Sequence, residues 1–152
     1  MSNVVDTSDI SKLSEKLTQL EREVADKVLF KSVKAGGVKL KNATVESLQQ
    51  KMGFDKVGQP IRNNKGGTYP PLKSGVRVSN QAVYTESTVH IMGHGFLKWF
   101  ELGTAIRTTK SGANRGSIKA INFFFAARQS AASNIESVIA QTVEKELQKY
   151  LE

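Results

Sequence analysis

The sequence predicts an α+β fold, a small antiparallel sheet packed against a long N-terminal helix and a long C-terminal helix. Two observations carry this. Apolar residues recur at helical spacing at both ends of the chain, at Ile10, Leu13, Leu17, Leu20, Val24 and Val28, and again at Ala127, Ala131, Ile135, Ile139, Val143, Leu147 and Leu151. Between them, residues 76–85 and 88–92 are rich in Val, Ile, Thr and Tyr, the composition of strands. A sheet this small cannot close a core alone and needs the helices. With 152 residues, 39% of them hydrophobic, the chain suffices for one domain with a real core and is too short for two. Residues 1–152 are therefore read as a single domain, with a flexible N-terminus (1–8) and two mobile loops (53–75 and 105–119).

Taken in order, Thr7, Ser8 and Asp9 offer N-caps for the first helix. Its apolar spacing holds for about two heptads where a coiled coil wants three or four, so the stripe is assigned to core packing. From 27 to 44 the chain carries Lys27, Lys31, Lys34, Lys39 and Lys41 and no acid, with the first three on one helical face. Gly36-Gly37 is expected to break or bend the helix, and a helical pattern resumes over 45–52.

Residues 53–75 hold all three prolines (Pro60, Pro70, Pro71) and the pair Gly66-Gly67, and read as an exposed loop. Its Asn-Asn-Lys-Gly-Gly-Thr lacks the spacing of a nucleotide-binding loop, and no strand precedes it. The two β-rich stretches form a hairpin, with Glu86-Ser87 as the turn. A third strand, or an irregular strand, is expected over 96–102.

That third stretch places Phe96, Trp99 and Phe100 within five residues, which marks it as the centre of the fold. Glu101 is the anomaly there. A carboxylate beside an apolar cluster must meet a cation or cap backbone amides, and it is expected to fix the Leu102-Gly103-Thr104 turn. Gly103 fits a position with φ > 0 or close backbone approach. Residues 105–119 follow as a second basic loop, with Arg107, Lys110, Arg115 and Lys119 and no acid; loops this long are functional or disordered. From Phe123 the pattern is helical to the end, widened by Val138 and Tyr150, while Glu144, Gln148 and Lys149 form a solvated face.

Composition narrows the function. A net charge of +8 and a pI near 9.8 suit an anionic environment such as nucleic acid. The absence of cysteine excludes disulfides and thiolate chemistry and permits a reducing compartment. The first residues lack the cationic-then-apolar order of a signal peptide, and no run of about 18 apolar residues occurs, so a soluble, cytoplasmic protein off the membrane is expected. His90, His94 and Glu101 can be drawn as a metal set, but in a strand the two histidines would lie about 13 Å apart, and Gly93 and Gly95 argue against a helix there. The serines lack a strand-turn-helix setting, and the acids are scattered rather than clustered for metal ions. No catalytic residue, metal or cofactor is expected.

Three stretches together carry a resemblance. Phe96-Leu97-Lys98-Trp99-Phe100-Glu101-Leu102-Gly103-Thr104 resembles the aromatic-rich "fvE.GT" signature of siphophage tail-completion proteins, also called minor tail or head-tail joining proteins, the family of the lambda minor tail protein Z. Ala120-Ile121-Asn122-Phe123-Phe124-Phe125-Ala126-Ala127 is similar to the family's "ArPFlrPA" before its final helix, and Pro71-Leu72-Lys73-Ser74-Gly75 resembles its "PvrTG". Ile121, Asn122 and Ala126 depart from Arg, Pro and Pro, and Arg77 from Leu. The order and spacing agree from about Asp9 to the end. The resemblance implies an α+β subunit without catalysis that assembles as a homo-oligomeric ring, read as a hexamer, at the head-tail joint or tail end. Its location would be the virion, after assembly in the host cytoplasm. Partners would be other neck and tail-tube proteins and the DNA that passes non-specifically through the lumen. The motif residues it points to are Gly75, Trp99, Phe100, Glu101, Gly103, Thr104, Ala120, Phe123, Phe124 and Ala127. Lys27, Lys31, Lys34, Arg107, Lys110, Arg115 and Lys119 are the candidates for DNA or partner contact. The alternative is a stand-alone basic nucleic-acid-binding module using the same cations.

Overall fold

The structure, a computed structural model, describes residues 7–63 and 65–151. Helix α1 (Thr7–Met52) and helix α4 (Phe123–Leu151) form an antiparallel pair that frames the molecule. Between them come a one-turn helix α2 (Phe54–Gly58), a ribbon β1–β2 (Ile61–Arg62, Thr68–Tyr69), the hairpin β3–β4 (Arg77–Gln81, Glu86–His90) and helix α3 (Gly95–Leu102). The α+β class holds, with two two-stranded sheets in place of one.

Helix α1 is continuous for 46 residues, so Gly36-Gly37 does not break it. Both glycines are buried where other elements come closest. A Cβ on Gly36 would lie 2.9 Å from the Ile139 side chain of α4, and one on Gly37 would collide with the Ser87 side chain of β4. Close approach, not chain reversal, is what these glycines supply; packing on two sides outweighs the cost of about 1 kcal/mol per helical glycine. The cap expected from Thr7, Ser8 or Asp9 and the stripe Ile10, Leu13, Leu17 and Leu20 fall outside the described side chains, and of the expected flexible N-terminus residues 1–6 lie outside the described residues.

The core lies between the C-terminal part of α1 and the first turns of α4. Leu48, Val57, Leu72, Val76, Leu97 and Phe123 are buried there, with Phe96, Phe100 and Phe124 packed against them. Farther along, Ala127 and Ala131 are buried and Ile135, Ile139 and Val143 half-buried. A strict spacing of four drifts about 40° per step around a 3.6-residue helix. By Leu147 the stripe has therefore turned to solvent, and Glu146 has taken the inward position. The register that sets Gly36 against Ile139 brings the end of α4 near Val24, so α1 runs on past it.

Three local expectations are corrected. Residues 96–102 are helical, because His94 caps the turn by accepting from Phe96 N (3.4 Å) and a core-facing edge at Leu97 and Glu101 has helical spacing. Residues 53–75 are built rather than loop-like: Asn63 Oδ1 accepts from Lys65 N (2.9 Å) and Gly67 N (2.8 Å), closing the β1–β2 ribbon. The hairpin turn is the 3₁₀ turn Ala82–Tyr84 followed by Thr85 at φ 48°, and Glu86-Ser87 belong to β4.

Candidate functional site

The three motif stretches meet in one joint. Glu101, from α3, points at the start of α4 and accepts from Phe124 N (2.9 Å, Oε2) and Phe125 N (3.1 Å, Oε1). Those amides belong to the four that any helix leaves unpaired at its N-terminus, where negative charge is also favoured. Glu101 is thus a cap supplied from another helix, 23 residues away in sequence. It fixes the start of α4 rather than the Leu102-Gly103-Thr104 turn.

The residue before α4 is held in an unusual conformation. Asn122 sits at φ 48°, a left-handed conformation that Asn tolerates and Pro cannot adopt. Ala126 N donates to Asn122 O (3.1 Å), a bond that Pro at 126 would remove. Both departures from the motif pattern thus have a local structural reason. Ile121 is held from two sides, its N–H donating to Phe100 O (2.8 Å) and its carbonyl accepting from Lys51 Nζ (2.6 Å). Phe123 and Ala127, one turn apart, are buried and Phe124 is half-buried.

Gly103 has φ 73°, as expected, and a Cβ there would stand 3.0 Å from Ala120 N and Ile118 O. Thr104 N donates to Ile118 O, and Thr104 Oγ1 accepts from Ile118 N, both at 2.9 Å. Gly75 closes the third side: a Cβ there would lie 2.6 Å from His94 Cβ and 2.7 Å from Leu97 Cδ1.

Trp99 is not at the centre of the fold. It is 41% exposed, since Leu97 and Glu101 face the core and position 99 lies about 200° around the helix from 97. It walls an open groove of about 440 Å³ with Met52, Ile61, Leu72, Phe96 and Phe100 as apolar lining and Asp55, Lys56 and Arg107 also bordering it. Met52, Ile61 and Leu72 went unnoticed in the sequence because they come from three different elements. The cue was available once 96–102 is read as a helix, because its sole tryptophan then falls off the core-facing edge.

The basic candidates fall in two places. Lys27 and Lys34 are exposed on α1, whereas Lys31 is already engaged: its Nζ lies 2.8 Å from Glu146 Oε2, and Lys149 Nζ lies 2.6 Å from Glu146 Oε1. Hydrogen bonds from Lys149 and Lys31 hold the Glu146 carboxyl at about 2, below its ordinary 4.5, and Glu146 raises the Lys31 ammonium. Residues 105–119 form an arm that folds back on itself. Arg107 N donates to Gly116 O (3.0 Å), Arg115 N to Arg107 O (2.7 Å) and Thr109 N to Ala113 O (2.9 Å), with Thr108 bridged to Asn114. These bonds bring Arg107 across from Arg115 and Gly116. Lys110 and Lys119 are exposed on the same arm.

The two histidines have separate roles, His90 bonded to Ser79 (2.6 Å between Oγ and Nε2) and His94 capping α3. Among the described residues no group of three or more His, Asp or Glu side chains is placed to hold a metal ion, and no helix is long and apolar enough to cross a membrane. Compared with family models, with curated proteins and with solved structures, the chain matches none.

Proposed function

We propose that this chain is a structural assembly protein of a tailed phage or prophage, a subunit of a ring at the head-tail joint or tail end that surrounds the DNA path. The observation that carries the reading is the joint. The three stretches that resemble the tail-completion signature are spread over residues 71–127, and their distinctive residues, Gly75, Glu101, Gly103 and Phe123, are those that lock α3, the base of the arm and α4 together. Exposed apolar side chains among the described residues support assembly: Val83, Trp99, Ile106 and Phe125 all face solvent.

One observation favours the second reading, a basic nucleic-acid-binding module. Like charges brought close along a backbone ladder repel each other. Arg107 and Arg115 are joined by a backbone hydrogen bond, and with Lys110 and Lys119 they make no ion pair among the described residues. Such an arm suits phosphate oxygens or a partner's acids. The two readings separate on purified protein, alone and mixed with phage neck and tail-tube proteins. The assembly reading expects a complex of defined mass, and duplex DNA binding no tighter than about 10⁻⁶ M at physiological salt. No complex, together with nanomolar binding to a particular duplex that is lost on replacing the four arm cations by Ala, would overturn it.

A further inference from the structure

We propose that the β3–β4 hairpin tip of one copy docks in the Trp99 groove of a second copy, with Val83 as the inserted side chain. This rests on the assembly reading above and names the surfaces that assembly uses.

The tip is an apolar knob without a socket. Val83 is 90% exposed at the middle of the Ala82–Tyr84 turn, the most exposed of the large hydrophobic side chains described. A valine serves no turn geometry there, since the left-handed residue is Thr85. The groove is an apolar socket without a knob, and its 440 Å³ lies within the roughly 300–1,000 Å³ of sites that enclose a substantial group. Both its Trp99 wall and its Phe96 and Phe100 floor are the aromatic surfaces over-represented in protein interfaces.

Charge agrees with the pairing. The acid flanking the tip is Glu86, exposed at the start of β4, and the groove's border carries Lys56 and Arg107 against the single acid Asp55. On a chain of net charge +8, copies otherwise repel, so a local match of this sign selects the orientation of contact.

Knob and socket cannot meet within one chain. The hairpin's other end, where Arg77 pairs with His90, abuts the joint through Gly93 N donating to Gly75 O (3.1 Å). Five residues of strand hold the tip roughly 17 Å from that end. A knob at one end and a socket beyond the other make a head-to-tail contact, the kind that closes into a ring or runs on as a filament.

The chain has no cysteine and one tryptophan, and both serve the test. One preparation carries Val83→Cys and a second carries Gln59→Cys, at the exposed edge of the groove. On oxidation the mixture should give a disulfide-linked dimer, and the chain bearing both substitutions a ladder of linked multimers. Trp99 emission of the unaltered protein should shift to shorter wavelength as concentration drives association. Val83→Asp, on an exposed turn, should abolish that shift and lower the mass while leaving the melting temperature of the monomer unchanged. An unaltered protein that stays monomeric at every concentration would overturn the assembly reading and this contact with it. Assembly that survives Val83→Asp, with no link between the two cysteine preparations, would overturn the contact alone and assign the groove to another surface or another protein.

Discussion

Replacing Glu101 by Ala removes the acceptor of two amides at once, and the cost follows from what those amides have left. A single capping side chain is worth about 1 kcal/mol and up to about 2, and a hydrogen bond to a charged group about 1.5–3. Glu101 is 8% exposed and shares one carboxylate between Phe124 N and Phe125 N, so truncation should cost about 2–4 kcal/mol. For a chain of this size each kcal/mol moves the melting temperature by about 2–4 °C, which gives a fall of roughly 4–16 °C. Glu101→Gln keeps one acceptor oxygen and should lose about half as much. Thermal unfolding followed by circular dichroism measures both, and amide exchange at Phe124 and Phe125 should speed up in parallel. A Glu101→Ala protein that melts with the unaltered chain and keeps slow exchange at those amides would refute the remote cap.

Three further outcomes are expected. Gly37→Ala should destabilise by about 1–3 kcal/mol through its collision with Ser87, and Ser87→Gly in the same chain should restore most of the loss, as read in denaturant titrations. The contribution of Glu146, whose folded value of about 2 lies below the ordinary 4.5, is present above 4.5 and lost as pH falls toward 2; the gap in melting temperature between the unaltered protein and Glu146→Gln should close over that window. Arm amides such as Arg107 and Arg115 should exchange rapidly in the isolated subunit, where their ladder lies in an exposed, like-charged segment, and become protected on assembly; equal, strong protection in both states would contradict this.

How much of this was legible depends on which physical signal ruled each segment. The long helices were readable from spacing, Gly103 from the demand of a chain exit, and the need of Glu101 for partners from the expense of a carboxylate beside aromatics, but not that those partners are the first amides of α4. Gly36-Gly37 misled because the sequence shows the conformational cost of glycine but not the Ile139 and Ser87 side chains pressed against it. The 96–102 stretch was read as a strand because a short apolar run carries no decisive period, and the cue that settles it, His94 capping Phe96, lies outside the run. The hairpin was found but its turn misplaced, since Ala82-Val83-Tyr84 lacks the Gly, Asn or Pro that marks turns. The groove was invisible because its lining is drawn from α1, the ribbon, the 3₁₀ turn at Leu72 and α3, which only the fold brings together.

The central claim, that this chain works by assembling through apolar contacts, is tested most directly by its mass in solution across a salt series. At about 1 M salt the Debye length is about 3 Å, so surface charge is screened while apolar contacts persist. Light scattering at rising protein concentration should then give a multiple of 16.7 kDa that survives high salt. A mass fixed at that of one chain at every concentration and salt would contradict the account.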